Sequence, residues 1–211
     1  MKLLSYTLPD FELLTPDGSA GRFLFWAPSE TCVVVGNGSD AEKEVNAEAI
    51  DAEGVPVYKR NTGGCAVVLT PEMWCLSCAL YGRKQIQSKD YFALFNRAVC
   101  EAFSRAGVEG LRHRGISDIA LGEKKIAGTA LYRNRELVFY HAVINIAGDV
   151  EMIERYLNTP PREPDYRKGR SHREFVTSLH EAGFAPSRET FEVEFKKEFE
   201  RIVELLTTVH C

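Results

Sequence analysis

The stretch ISDIALGEKKIAGTALYRNRELVFYHAVINI (116–146) decides the fold. It holds three runs rich in β-branched and aromatic residues, ISDIAL (116–121), KKIAGTALYR (124–133) and ELVFYHAVINI (136–146), separated only by Gly122-Glu123 and Asn134-Arg135. Glycine and asparagine accept the positive φ of tight hairpin turns, so strands joined this closely predict an antiparallel meander.

Toward the N-terminus, RFLFW (22–26) and TCVVVG (31–36) read as strands, the second apolar throughout and therefore buried. VPVYKR (55–60) resumes the sheet, and AVVL (66–69) with WCLSCALY (74–81) predicts a hairpin turning at Thr70 and Pro71. A polar surface helix is expected from Asp40, its N-cap, through Ala52, with Gly54 past its end. Phe92, Phe95, Val99, Ala102 and Phe103 recur at helical steps and predict a long helix over Ser88–Ala106, stopped by Gly107. Further helices are expected at Asp149–Leu157, ended by Pro160 and Pro161, at Ser171–Ala182, and at Glu189–Leu206 with Phe191, Phe195, Phe199, Ile202, Val203 and Leu206 on its apolar face. The expectation is an α+β fold, a mixed, largely antiparallel β-sheet packed by helices, forming one domain over residues 1–211.

The 211 residues are 45% hydrophobic and 27% charged, which suits a globular chain with a sizeable core and not a disordered or repetitive one. A net charge of −4, from 26 basic and 30 acidic side chains, supplies no broad cationic field, so nucleic acid is not an expected partner. Asp10 and Glu12 interrupt the N-terminal stretch before a signal-type apolar region forms, and no apolar run approaches a membrane span. The expected location is therefore the cytoplasm, with no membrane partner. Cys32, Cys65, Cys75, Cys78, Cys100 and Cys211 lack the spacing of a secreted disulfide framework and are expected to be reduced. Cys75 and Cys78 form a lone C-x-x-C; on a strand, residues three apart face opposite sides, so two buried small residues are expected there and not a zinc site.

Two segments offer chemistry. KRNTGGCAVVL (59–69) places Gly63 and Gly64 between a basic strand end and a new strand. Without Cβ atoms, such a loop can turn its amides toward an anionic or carbonyl oxygen, with Arg60 adding a charge-assisted contact. It also reads as a plain hairpin turn, and it lacks the Gly-Lys-Ser/Thr and following helix of a P-loop. In SDIALGEKKIAGTA (117–130), Asp118 lies across a turn from Lys124 and Lys125, and the small residues Ala127, Gly128 and Thr129 leave room for a narrow pocket where Lys125 meets a carboxylate or phosphate. A solvated charge pair is the alternative. His141, inside an apolar strand, reads as a core histidine. The basic segment PDYRKGRSHRE (164–174) reads as a lid over an anionic ligand or as a wet loop.

In this order and spacing the segments resemble the lipoate-protein ligase and octanoyltransferase family, which shares its catalytic fold with biotin-protein ligases; the nearest type is the lipoate-protein ligase A catalytic domain. The likeness spans Thr31 to Leu179. VVVGNGSDAEKEVN (33–46) is similar to the family's segment ending in Glu-x-Asn, here Glu44 and Asn46. Lys59, Arg60, Thr62, Gly63, Gly64, Cys65 and Val67 answer to Arg-Arg-x-Ser-Gly-Gly-Gly-x-Val. Ser117-Asp118 resembles Asn-Asp, KIAG (125–128) resembles the Lys-Ile/Val-Ser/Ala-Gly signature, and His141-Ala142 resembles His-Gly.

The resemblance implies an elongated apolar slot for an octanoyl-length chain and chemistry in two steps. Lipoate or octanoate attacks the α-phosphate of ATP, with Mg2+, to give an acyl-adenylate. A lysine of a lipoyl carrier domain, of H-protein or dehydrogenase E2 type, then attacks the activated carbonyl. Lys125 is implied as catalytic, with Arg60, Thr62, Gly63, Gly64, Cys65, Asp118, Gly128, Thr129 and His141 binding substrate or nucleotide and Asp118 a candidate Mg2+ ligand. The chain departs from the pattern at Cys65, which replaces the third glycine, and at Leu69-Thr70, which replaces His-Asp. The N-terminal Asn-x-Asn-Leu-Ala helix and the usual accessory C-terminal domain are not recognisable, which leaves room for a small accessory subunit. Alternatives are an ATP-independent octanoyl or lipoyl transferase working between carrier proteins, with Cys65 as substitute nucleophile, and a non-catalytic family member that binds lipoyl domains.

Overall fold

The computed structural model describes residues 1–82, 86–160 and 162–207; Pro161 and Cys211, both considered above, lie outside them. The meander forms as its short turns require. Strands β7 (Leu111–Arg114), β8 (Asp118–Leu121), β9 (Lys124–Arg133) and β10 (Leu137–Asn145) run antiparallel in sequence. Beyond β10 the sheet continues through β6 (Met73–Tyr81) to β2 (Gly21–Trp26), giving six antiparallel strands in the order β2-β6-β10-β9-β8-β7. A second sheet, of order β1-β4-β3-β5, joins β1 (Leu3–Ser5), β4 (Val57–Lys59), β3 (Cys32–Val35) and β5 (Val67–Leu69). Its β1–β4 and β3–β4 pairs are parallel, whereas β3–β5 is antiparallel.

Alternation along the strands sorts side chains into layers. One face of the six-stranded sheet presents Leu76, Cys78, Leu80 and Tyr140 to helices α3 (Ser88–Arg105) and α6 (Arg188–Thr207), whose Phe95, Phe103, Phe191, Phe195 and Phe199 complete the main core. Phe95 stacks on Tyr140 at 4.6 Å between ring centroids, and the Tyr140 hydroxyl is satisfied by Asn96 Oδ1 at 2.8 Å. The opposite face carries Trp26 and Cys75 toward Cys32, Val34 and Leu69 of the small sheet. Cys75 and Cys78 thus enter different cores, as strand geometry demands. The outer face of the small sheet, Val33, Val35, Val57 and Val68, is covered by Ile50 of helix α2 (Ala47–Glu53) and Tyr156 of helix α4 (Val150–Tyr156).

Three local expectations are corrected. Val67–Leu69 and Met73–Tyr81 are not a hairpin: β5 pairs with β3 and β6 with β2 and β10, so the turn at Thr70–Glu72 carries the chain from one sheet to the other. The helix over 40–52 is broken into α1 (Ala41–Glu44) and α2, because Val45 is extended to bridge Leu157 and Asn46 restarts the helix as N-cap, accepting from Ala49 N. Asp40 has N-cap backbone geometry without a capping side-chain bond. The helix over 171–182 is only one turn, α5 (His172–Phe175), closed by the Ser171/Glu174 capping box. Val176 leaves it to bridge Lys125, and Thr177 N donates to the Lys125 carbonyl at 3.0 Å.

Candidate active site

Between the two sheets lies a cleft of about 740 Å³, a size suited to a small organic ligand. Strand register orders its floor. The pair Cys75–Val143 sits between Ser77–His141 on one side and Met73–Asn145 on the other, while Val34, Val67 and Leu69 face them from the small sheet. The result is an apolar middle with polar groups at its margins.

The glycine loop forms one margin. Gly64 has φ +93°, and a Cβ on Gly36 would meet the Gly64 carbonyl oxygen at 1.9 Å, so two loops touch backbone to backbone there. Three side chains grip this loop through its main chain. Arg60 donates to the carbonyls of Gly63, Cys65 and Val34. Ser39 Oγ donates to the Gly64 carbonyl at 2.9 Å, and buried Glu44 accepts from Ala66 N at 2.6 Å. Burial lowers the Arg60 pKa to about 10, which leaves it charged at neutral pH. Arg60 therefore shapes the loop through its carbonyls, and it also lines the cleft, where the sequence placed a ligand contact. Among the described residues, the amides of Gly63, Gly64 and Cys65 donate to no protein acceptor. Gly64 and Cys65 line the cleft; Thr62 and Gly63 are not part of its wall.

Lys125 occupies the facing margin. A bulge in the β8–β9 pairing between Ile119 and Ala120 sets its position opposite Ala120. Its Nζ lies 2.7 Å from Asp118 Oδ1, and the Tyr166 hydroxyl donates to Asp118 Oδ2 at 2.9 Å. The side chain folds over Gly128, where a Cβ would stand 3.0 Å from Nζ, and it is 29% exposed. The Asp118 pair is therefore a wall of the cleft and not a solvated hairpin pair. Thr129 donates both its amide and its hydroxyl to the Ser117 carbonyl, which pins the start of β8. The segment 164–174 is packed and not a wet loop. Tyr166 and Arg167 are buried, Arg167 donates to the Arg170 carbonyl, and both arginines lie over the Phe175 ring.

A buried polar chain reaches the glycine loop from the N-terminus and was not anticipated. Asp10 accepts from Tyr6 and Ser77 at 2.7 and 2.6 Å, and His141 Nδ1 lies 3.8 Å from it, an electrostatic contact. His141 Nε2 meets Thr62 Oγ1 at 3.1 Å. Burial pushes the Asp10 carboxyl up, but His141, Ser77 and Tyr6 together hold it below its usual range. Burial, with Arg60 nearby, holds the His141 imidazole below its usual range against the pull of Asp10. A neutral ring with Nδ1–H toward Asp10 fits this, leaving Nε2 to accept from Thr62. His141 is a core histidine that lines the cleft, as its strand position suggested. Asp10 gave no local signal beyond Pro9, which opens the short 3-10 turn Pro9–Leu14.

No three His, Cys, Asp or Glu side chains converge among the described residues. Asp118 already accepts on both oxygens. A Mg2+ ion at Asp118 would therefore be one that arrives on the ATP phosphates, with this single carboxylate as its protein contact.

Residues 12–200 match the family described as lipoyl protein ligase A/B catalytic domain. The chain belongs to this family. Among its relatives, lipoate-protein ligase 1 of Staphylococcus aureus is 24% identical over 178 residues, covering 84% of this chain and 53% of that protein. Lipoate-protein ligase A of Blochmanniella pennsylvanica is 26% identical over 152 residues, covering 69% and 41%. The chain spans about half the length of these curated relatives or less. A solved structure of a lipoate-protein ligase A bound with ATP aligns at TM-score 0.73 and 21% identity, over 92% of this chain and 76% of that one. Another, from an archaeal lipoylation system of Thermoplasma acidophilum comprising a bi-partite lipoate protein ligase and its E2 lipoyl domain, aligns at 0.76 and 22%, over 96% and 82%. These likenesses establish the lipoate-ligase catalytic fold, in agreement with the α+β architecture. No helix among the described residues is long and apolar enough to cross a membrane.

Proposed function

We propose that this lipoyl ligase family chain activates lipoate or octanoate with ATP and transfers the acyl group to a lysine of a lipoyl carrier domain. The observation that carries the reading is the pairing of an ammonium, Lys125 Nζ, with the uncommitted amides of loop residues Gly64 and Cys65 on the wall of one apolar-floored cleft. Attack of a carboxylate on the α-phosphate, and of an amine on the acyl-adenylate carbonyl, both gather negative charge on oxygen. Donors already held in place by Arg60, Glu44, Asp118 and Tyr166 lower the barrier to each step without reorganising at the moment of reaction. The apolar floor between Ser77–His141 and Met73–Asn145 accepts the acyl chain, and Gly128 keeps the Lys125 side chain along the cleft wall. ATP enters as substrate, and no step here is assigned to a protein-bound metal.

The carrier is supported by family membership and by the E2 lipoyl domain that accompanies the Thermoplasma relative. A thioester route through Cys65 is less well supported: burial and the Glu44 charge push the thiol up, against the pull of Lys125 and Arg60. The test supplies octanoate, MgATP and an E2 lipoyl domain and follows carrier mass. Expected is an ATP-dependent octanoyl adduct that also forms with Cys65→Ser, which removes the thiol without filling the cleft. Lys125→Ala should lose about 3 kcal/mol of transition-state stabilisation, roughly a hundred-fold in rate. If supplied octanoyl-AMP binds and the carrier stays unmodified, the reading fails in favour of a non-catalytic binder.

A further inference from the structure

The turn between β7 and β8 holds Ile116 at the cleft mouth with 72% of its surface exposed, the most of any large hydrophobic side chain among the described residues. It stands two residues before Asp118, amid basic side chains. Residues 111–125 carry four Lys or Arg against two Asp or Glu, and residues 162–173 carry five against two, in a chain of net charge −4. The two segments form one rim. The Arg114 guanidinium lies 4.8 Å over the Tyr166 ring, and Arg170 donates to the Glu123 carbonyl at 3.1 Å. Arg112, Lys124, Arg162 and Lys168 are exposed around it.

An exposed apolar anchor beside a reaction cleft, in a rim where basic side chains outnumber the exposed acids Glu123, Glu163 and Asp165, has the composition of a protein-docking surface: apolar centre, polar rim, and a field that orients the incoming partner. A nucleotide phosphate would use the cations but gains nothing from the exposed Ile116 methyl groups. We propose that Ile116 and this basic rim dock the acyl acceptor, a small carrier domain that surrounds its acceptor lysine with acidic side chains and an apolar depression. The proposal rests on the acyl-transfer reading above and names the surface that its second substrate uses. Docking there brings an acceptor lysine to the opening beside Asp118 and Lys125.

The test separates docking from chemistry. Affinity for a dehydrogenase E2 lipoyl domain is measured by calorimetry without turnover, beside ATP-dependent hydroxamate formation from octanoate, MgATP and hydroxylamine, which traps the adenylate as it forms. Ile116→Ser and the double variant Arg112→Glu/Lys168→Glu are expected to raise Kd for the carrier ten-fold or more while leaving hydroxamate formation unchanged. Added salt should weaken binding by the wild type more than by the double variant. A carrier whose acidic residues near the lysine are replaced by amides should bind the wild type as weakly as the native carrier binds the double variant. Unchanged carrier affinity in both variants, absence of binding by the wild type, or a raised KM for ATP with carrier affinity intact would overturn the proposal. Rim-dependent carrier binding by a protein that forms no hydroxamate upholds the docking surface and overturns the enzymatic reading.

Discussion

Gly128 shows how a single missing side chain can serve chemistry in place of folding. Its φ is ordinary, and the atoms a Cβ would meet are Lys125 Nζ at 3.0 Å and Cε at 3.1 Å, the mobile end of a long side chain. Gly128→Ala should therefore change stability by less than about 1 kcal/mol, because the lysine can swing aside. The same swing takes the ammonium from its place beside Asp118, and a displacement near 1 Å at a reacting group costs about a hundred-fold. The expected result is an unchanged melting temperature with acyl transfer reduced by ten- to a hundred-fold; equal activity would mean that Lys125 acts from some other position. That Lys125, Asp118, Gly64 and Gly128 meet at one cleft was legible in the sequence because their motifs are local, whereas Gly63, in the same loop, lies off its wall. Asp10 was not legible. Its partners Ser77 and His141 are distant along the chain, and a lone aspartate in Leu-Pro-Asp-Phe carries no mark of burial.

Elements were legible where periodicity and turn chemistry act locally. The strand over Lys124–Arg133 and the helix over Ser88–Arg105 match their expected spans to within a residue. They were misread where another element decides: Val176 is drawn from a helix by Lys125, and β5 and β6 separate because each finds a better neighbour in its own sheet. The meeting of the β3–α1 and β4–β5 connections is a case that no single segment could announce. Gly36 and Gly64 touch through backbone alone, so Gly36→Ala drives a methyl to 1.9 Å from a carbonyl oxygen that cannot rotate away. Overpacking of this kind costs about 1–3 kcal/mol. Here the adjustment falls on the loop gripped by Arg60, Ser39 and Glu44, so the variant should melt at lower temperature and bind octanoyl-AMP at least ten-fold more weakly. Native affinity in a destabilised variant would show that the loop amides do not face the ligand.

At the scale of the whole molecule, the buried Asp10–His141 chain makes stability depend on pH in two stages. Unfolded, the His141 imidazole takes up a proton near its ordinary value of about 6.5. Folded, it does so only at lower pH, since burial and Arg60 oppose the charge. Below about 6.5 the unfolded chain holds the extra proton, so this contribution is complete above that pH and is lost as pH falls toward the folded value. Asp10, depressed in the fold, contributes above its ordinary value of about 3.9 and loses that contribution on further acidification. Urea midpoints should fall in these two windows, with a shallower first stage in His141→Gln; His172, also lowered by burial, retains part of it. An identical profile in the variant would place the first stage elsewhere.

The six-stranded sheet ends at β7, whose sequence is Leu-Arg-His-Arg. Were a second copy to extend the sheet by antiparallel pairing centred on His113, each Arg112 would lie opposite an Arg114, guanidinium against guanidinium. In that register the terminal strand repels its own likeness, and closure into a two-fold dimer through that margin is disfavoured.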